Sequence, residues 1–253
     1  MNIVAMIDPV IFSIGPFAVR WYGLMLSVSA GLGFWYMLRQ GRKLGYSDDF
    51  LYDLVILSIV GGVVGARLIY VVTNWSDYAA APWTIIRTDL GGLSFHGGFL
   101  GGVLAGWLYV RKRKASFGQL ADLTVPGFTL GITLVRLTNI INHEVTGRIT
   151  TSGFQHPAQL YGSAIGLILL IRHFYLARRQ HPEGYLFWSF AFYYSLLRGL
   201  VEETFRDNPL FAWGYVYEPL GMGFFTLVHL LTPLFMGLTW WMLKRTKQVG
   251  KRS

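Results

Sequence analysis

Cysteine is absent from this sequence of 253 residues. Its absence excludes disulfides, thiolate metal sites and a cysteine nucleophile, so any thiol chemistry has to come from a substrate. Charge is also scarce, because Asp, Glu, Lys and Arg make up 14% of the residues, compared with about 25% in soluble domains. Hydrophobic residues account for 53%, and the mean hydropathy is +0.42. This composition predicts a protein of the lipid bilayer.

Acidic residues are fewer than basic ones, 13 against 22, which gives a net charge of +9. A basic chain can bind nucleic acid through a continuous positive surface. Here the lysines and arginines alternate with apolar stretches and form no single stripe. We therefore expect no nucleic-acid partner and attribute the charges to membrane topology.

Apolar windows of about 20 residues, the length that crosses a bilayer core of roughly 30 Å, recur along the whole chain. Residues 1–14 precede them, lack a basic leading region and contain Asp8 and Pro9, so no cleavable signal peptide is expected. Pro126 interrupts the fourth window, where a kink or a buried partner is expected. The windows predict seven transmembrane helices in a single all-α domain, residues 1–253: Trp21–Leu38, Phe50–Thr73, Phe95–Val110, Phe117–Ile141, Gln159–Ala177, Tyr185–Glu202 and Met222–Leu243.

The distribution of Lys and Arg between these windows predicts their orientation. Fifteen of the 22 basic residues fall on one side, in clusters around Arg42, Arg113, Arg178 and Lys247. The positive-inside rule makes that side cytoplasmic. With seven spans, the C-terminus is then cytoplasmic and the N-terminus outside. All seven basic residues on the outer side are arginines: Arg20, Arg67, Arg87, Arg136, Arg148, Arg198 and Arg206.

Two glycine clusters lie inside predicted spans. Gly61, Gly62 and Gly65 belong to the second, and Gly97, Gly98, Gly101 and Gly102 to the third. A spacing of four residues lets helix backbones approach closely. We expect these glycines to serve helix packing, with room for a lipid as the alternative.

The outer end of the fourth predicted span is rich in polar residues. Arg136, Asn139, Asn142 and His143 have the spacings of three and four residues that align side chains on one helix face. Arginine suits a phosphate because its planar fork donates two parallel hydrogen bonds and stays charged when desolvated. Arg136 is therefore a candidate ligand for a lipid headgroup. The alternative is an arginine anchored in the interfacial region.

A second polar group closes the sixth predicted span. Arg198, Glu202 and Arg206 are four residues apart, which allows salt bridges within one helix. Arginines from two spans at the same depth also favour binding of an anion such as a phosphate. At other outer ends, His96 is a candidate general base or a helix cap, and Tyr22 either orients a substrate or belongs to the aromatic belt. No histidine spacing indicates a metal site.

These residues lie in ordered motifs through which the sequence resembles the prolipoprotein diacylglyceryl transferases, bacterial membrane enzymes. The resemblance covers most of the chain. It comprises residues 8–16, Trp21-Tyr22-Gly23, Gly65-x-Arg67, Ser94-Phe95-His96-Gly97-Gly98, the signature from Arg136 to Arg148, His156-Pro157-Ala158-Gln159-Leu160-Tyr161 and Arg198 to Arg206.

The resemblance implies transfer of the diacylglyceryl group from phosphatidylglycerol to the thiol of a lipobox cysteine in a prolipoprotein signal peptide. It implies no cofactor, membrane lipid as surroundings, and a place in the bacterial cytoplasmic membrane with the active site toward the outer leaflet. It further implies catalytic roles for His96, Arg136, Arg198 and Tyr22. Substrate would be bound by Arg136 together with Arg67, Asn139, Glu144, Gly147, Glu202 and Arg206.

The sequence departs from the family pattern at several positions. Val135, Thr138 and Ile140 replace family residues in the signature, Gly162 replaces an acid, and Phe224 replaces a glutamine. The stretch between Gly147 and His156 is also short. Two alternatives follow from these changes. The chain would use the same donor with a different acceptor, or it would bind or transport phospholipid without catalysis.

Overall fold

The computed structural model describes residues 7–15, 17–79, 82–86 and 92–249, and helices dominate them. The α7 helix (Tyr185–Leu197) continues through a π-helical turn, Arg198–Glu202, into α8 (Glu203–Phe205). A 3-10 turn, Pro82–Ile86, precedes α4 (Phe95–Lys112), and another, Glu218–Leu220, lies between two strands. The helices are α1 (Trp21–Lys43), α2 (Asp48–Thr73), α3 (Trp75–Ala79), α4 (Phe95–Lys112), α5 (Phe117–Ile141), α6 (Ala158–Ala177), α7 (Tyr185–Leu197), α8 (Glu203–Phe205) and α9 (Leu227–Val249).

Three of these helices, α2, α5 and α6, are long and apolar enough to cross a membrane. They coincide with the second, fourth and fifth predicted spans. The other predicted spans fall on α1, α4, α7 with its π-helical turn, and α9, and the total of seven stays a prediction. One predicted start is wrong. Met222–Phe224 forms a strand, so α9 begins at Leu227 and not at Met222.

In the described part of the chain, four short strands form two hairpins and add a β component that the all-α prediction did not include. Strand β1, Val10–Ile14, pairs antiparallel with β2, Phe17–Arg20, directly before α1. Strand β3, Tyr215–Tyr217, pairs antiparallel with β4, Met222–Phe224. Strand pairing satisfies the backbone N–H and C=O groups of these residues. By apolar composition alone, the same residues resemble the start of a membrane span.

Hydroxyl caps define the starts of two helices in the part of the chain before α5. Ser47 Oγ accepts a hydrogen bond from the backbone of Phe50 at the start of α2, and Ser94 Oγ accepts one from Gly97 at the start of α4, both 3.3 Å. Such caps satisfy amide groups that have no partner within the helix. Both helices therefore begin within two residues of their predicted starts.

Residues 37–117 form one of two compact units, and its helices α2 and α4 pack through their glycines. A Cβ atom on Gly61 would lie 2.8 Å from the carbonyl oxygen of Gly101, and one on Gly65 would lie 2.9 Å from the Cα of Gly101. Real Cβ atoms do not come that close, so larger residues would force the helices apart. The predicted packing role of these glycines is confirmed.

Residues 7–36 and 118–249 belong to the other unit, which contains α5, α6, α7 and α9. The α5 helix runs without a break through Pro126, which is fully buried. Asp122 of α5 caps α7, because its carboxylate oxygens accept hydrogen bonds from the backbone of Gly184 at 2.8 Å and of Phe187 at 2.7 Å. This carboxylate also faces the positive end of the α7 dipole. The single domain inferred from the sequence stays a prediction.

Candidate functional site

Two arginines from different helices share one carboxylate oxygen in the unit that contains α5, α6, α7 and α9. Arg136 Nη2 lies 2.5 Å from Glu202 Oε1, and Arg198 Nη1 donates to the same oxygen at 3.1 Å. Glu202 is completely buried, whereas 15% of the Arg136 side chain and 24% of the Arg198 side chain remain exposed. The buried glutamate therefore holds two cationic groups at one point near the surface of the unit.

A π-helical turn brings Arg198 and Glu202 into this position. The backbone N–H of Glu203 bonds to the carbonyl of Arg198, five residues earlier, which widens the turn at the end of α7. Such turns are rare and are often found at functional sites. Arg136 meets this turn from the last two turns of α5. The predicted salt bridge between Arg198 and Glu202 is thus present, but its glutamate is shared with a second helix.

Gly162 of α6 closes the site on one side. A Cβ atom at this position would lie 2.8 Å from Arg136 Nε and 2.9 Å from Glu202 Oε2. Both of these polar atoms are buried and have no hydrogen-bond partner. The absence of a side chain at 162 lets the ion pair lie directly against α6. The glycine that departs from the family pattern is therefore part of the site.

Arg206 contributes a third positive charge just beyond α8. Burial lowers the pKa of its guanidinium, and the nearby charges of Arg136 and Arg198 lower it further. Two buried glutamates, Glu202 and Glu203, oppose these three arginines. The sum of charges is positive, so the cluster would be stabilised by one further anion.

The signature asparagine connects Arg136 to the chain beyond α5. With the amide of Asn139 oriented to satisfy both neighbours, its oxygen accepts from Arg136 Nη1 and its nitrogen donates to Glu144 Oε2, each at 3.2 Å. The α5 helix ends at Ile141, so Asn142 and His143 lie beyond it, and His143 has a positive φ of 54°. The prediction that all four polar residues share one helix face is wrong for the last two.

Gly147 lies where two chain segments approach each other. It forms an isolated antiparallel bridge with Arg206 and is buried. A Cβ atom there would lie 2.7 Å from the carbonyl carbon of His156. Only glycine fits this position without moving the segment that carries His156.

His156 and Tyr161 support this segment, in the motif that the sequence indicated. His156 Nε2 lies 2.8 Å from the carbonyl oxygen of Leu220, and Nδ1 lies 3.0 Å from the Tyr161 hydroxyl. A carbonyl only accepts, so Nε2 donates to Leu220, and Nδ1 forms a second hydrogen bond with the Tyr161 hydroxyl. These contacts give the histidine a structural role.

Two further charged residues, Glu203 and Arg148, were assigned no role from the sequence. Glu203 Oε1 accepts from Asn208 at 2.9 Å, while its Oε2 has no partner. Arg148 donates to the Asn208 carbonyl at 2.8 Å and lies 3.5 Å from Asp207. Arg148 belongs to the signature and to the outer arginines, and Glu203 lies in the motif from Arg198 to Arg206, but neither position indicates a contact with Asn208.

Three other residues were predicted to belong to the site: Tyr22, His96 and Arg67. Tyr22 is in the first turn of α1 and is 41% exposed. His96 is exposed in the first turn of α4, within the unit of residues 37–117.

Arg67 is buried in that same unit. It donates to the carbonyl oxygens of Ile85 at 2.7 Å and of Thr84 and Gly92 at 3.0 Å. Its guanidinium also lies over the Tyr78 ring. These contacts engage Arg67 with the loop after α3, and the role in binding substrate stays a prediction. Among the described residues, no group of three or more His, Asp or Glu side chains is placed to hold a metal ion.

Comparison with known proteins agrees with the motifs. A family model described as "Prolipoprotein diacylglyceryl transferase" matches residues 9–243. A phosphatidylglycerol–prolipoprotein diacylglyceryl transferase from Thermoanaerobacter sp. (strain X514) is 48% identical over 94% of this chain and 94% of its own length. Enzymes of the same name from Caldanaerobacter subterraneus subsp. tengcongensis and Deinococcus radiodurans are 46% and 32% identical, covering 94% and 95% of this chain and 94% and 86% of their own lengths.

Proposed function

The chain belongs to the prolipoprotein diacylglyceryl transferase family, and on this premise we propose that its arginine cluster binds the phosphate of the lipid donor. The reaction is the transfer of the diacylglyceryl group from phosphatidylglycerol to a prolipoprotein. The similar enzymes all carry the name of this activity, so they favour neither a different acceptor nor a non-catalytic role.

The observation that carries the proposal is the meeting of Arg136 and Arg198 at one oxygen of Glu202. Both guanidinium groups keep an exposed portion, and a third cation, Arg206, lies close enough to affect them electrostatically. A phosphate accepts several charge-assisted hydrogen bonds from such planar donors. Glu202 keeps the two arginines in place while no lipid is bound.

The acceptor is the thiol of the lipobox cysteine in the signal peptide. Its thiolate sulfur attacks the glyceryl carbon that carries the phosphate. A carbon–sulfur bond forms as the carbon–oxygen bond breaks, and the bonding electron pair leaves with the phosphate oxygen. The products are a thioether and glycerol phosphate, and the thiol proton passes to a base. His96 and Tyr22 are the candidates from the sequence for that base.

The arginine cluster favours this step because charge accumulates on the departing group. A phosphate diester carries one negative charge, whereas the phosphate monoester that leaves carries about −1.5 to −2 at pH 7. Cations that are already in place stabilise the added charge without reorganising. They therefore bind the transition state more strongly than the bound lipid, which is the requirement for a higher rate.

Asn139, Glu144 and Gly147 hold the site together in this proposal. Asn139 bonds to Arg136 and Glu144, and Gly147 bridges to Arg206. The proposal also keeps the sequence-based topology of seven spans, with the N-terminus outside, the C-terminus cytoplasmic and the site toward the outer leaflet of the bacterial cytoplasmic membrane. Signal peptides and phosphatidylglycerol are the partners, and the chemistry written above needs no organic cofactor.

The test uses purified full-length protein with phosphatidylglycerol and a synthetic lipobox peptide. Release of glycerol phosphate and the mass of the peptide are followed in the same reaction. We expect both products, and neither with a peptide in which serine replaces the cysteine. Consumption of phospholipid without peptide modification would contradict the proposed acceptor, and lipid binding without any product would contradict catalysis.

A further inference from the structure

An apolar groove of about 410 Å³ runs between the end of α7 and the start of α9. Gly199 and Leu200, both in the π-helical turn, line one side, and Thr232 and Met236 of α9 line the other. The two groove residues of the turn lie in sequence between Arg198 and Glu202. The groove therefore begins next to the cluster that we propose as the phosphate site.

The polar side chains along the groove direct their hydrogen bonds elsewhere. Thr232 Oγ1 donates to the carbonyl of Val228 at 2.8 Å. His229 Nδ1 lies 3.0 Å from Thr226 Oγ1, and its Nε2 lies 3.2 Å from Thr204 Oγ1. With these groups satisfied, the surface that faces the groove is almost entirely carbon. Such a surface favours hydrocarbon over water or a polar ligand.

Gly199 lets the π-helical turn lie close against α9 at one wall of the groove. A Cβ atom on Gly199 would lie 2.7 Å from Thr232 Cγ2, so any larger residue would push α7 and α9 apart. Leu200 is 61% exposed, so the groove is open to its surroundings at this residue. From His229 to Met236 the helix rises by about 10 Å, whereas half of a bilayer core measures roughly 15 Å. The groove thus has room for most of one acyl chain in a single leaflet.

We propose that this groove binds one acyl chain of the phosphatidylglycerol donor during transfer. The inference rests on the proposed function, because it takes the headgroup phosphate to lie at Arg198 and Arg136. Covalent connectivity then supports it, since both acyl chains of the lipid are attached within a few bonds of the phosphate. The same chain stays in the groove after transfer, because the diacylglyceryl group keeps both of its chains.

The kinetic test measures the wild type and the Met236→Trp variant with two lipids, dioleoyl and dihexanoyl phosphatidylglycerol. A larger side chain at 236 fills the deep end of the groove, which only the longer chain is long enough to reach. We expect the ratio of kcat/KM for the long-chain lipid to that for the short-chain lipid to fall by about tenfold, the effect of losing one or two buried methylene groups. The control is Leu234→Trp on the exposed side of the same helix, which leaves the ratio unchanged. An unchanged ratio in a folded Met236→Trp protein would overturn the proposal.

A binding test separates failure of the groove from failure of the proposed function. Phosphatidylglycerol with a photoreactive diazirine in one acyl chain is crosslinked to the full-length protein, and adducts are located by mass spectrometry. We expect adducts concentrated in segments 196–200 and 229–236, and competition by dioleoyl phosphatidylglycerol but not by dioleoyl phosphatidylcholine. Adducts spread evenly over the lipid-facing helices, or equal competition by both lipids, would overturn the groove whether or not turnover is observed.

Discussion

Gly162 lies so close to Arg136 that a methyl group at 162 would be 2.8 Å from the guanidinium Nε. The Gly162→Ala variant therefore has to displace the arginine or separate α6 from it. We expect kcat/KM to fall by about tenfold, because small displacements of positioning groups reduce rates strongly. The measurement is glycerol phosphate release at several lipid concentrations, with Tm to confirm folding.

Gly237→Ala is the matched control for that variant. Gly237 lies within α9, and a Cβ atom there meets nothing within 4 Å. Alanine also favours helix more than glycine does, so neither turnover nor Tm should decrease. Equal turnover in both variants would contradict the role given to Gly162.

Arg136→Lys tests whether geometry matters in addition to charge. Lysine keeps the positive charge but lacks the planar, forked guanidinium group with which arginine can bind Glu202 and a phosphate at the same time. We expect most of the activity to be lost while the protein stays folded. Arg111→Gln is the comparison, since Arg111 is exposed at the end of α4, and its turnover should stay near that of the wild type. Wild-type turnover of Arg136→Lys would refute the phosphate clamp, and a severe defect in Arg111→Gln would refute the topology.

Glu202→Gln removes the negative charge that Arg136 and Arg198 share. Loss of one partner from a buried ion pair costs roughly 3 kcal/mol or more, so Tm should fall clearly. The exposed ion pair between Arg42 and Asp48 provides the contrast, because Asp48→Asn should leave Tm almost unchanged. Thermal unfolding in the same detergent compares the two. A Glu202→Gln protein as stable as the Asp48→Asn protein would show that the buried pair does not hold the site.

Arg67→Gln distinguishes an anchor for a loop from a ligand for substrate. The variant removes donors to the carbonyl groups of Thr84, Ile85 and Gly92. We expect faster hydrogen exchange at residues 84–86, measured by mass spectrometry, and no such change in Arg113→Gln. Unchanged exchange together with a higher KM for phosphatidylglycerol would instead support the role predicted from the sequence.

The sequence alone predicted what depends on local pattern. The apolar windows predicted both ends of α2, α5 and α6 to within two residues. This was possible because membrane spans require long uninterrupted apolar runs. The four-residue spacing of Arg198 and Glu202 predicted their salt bridge, because that spacing fixes neighbours on a helix.

Contacts between distant segments could not be predicted in the same way. The residues next to Arg136 in the sequence do not show that its partner is Glu202, which lies 66 positions later. The role of Gly162 depends on how closely α6 approaches both residues, which local pattern does not encode. Likewise, Met222–Phe224 is as apolar as a span, and only its pairing with Tyr215–Tyr217 makes it a strand.

The bridge between Gly147 and Arg206 is part of a short main-chain ladder. Arg148 donates its backbone N–H to the carbonyl of Phe205, and Asp207 donates to that of Thr146, both at 2.8 Å. Main-chain hydrogen bonds do not depend on side-chain identity, so the spacing of the two segments that follow α5 and α8 can persist while the residues around them vary. Position 147 is the exception, because a side chain there would collide with the carbonyl group of His156.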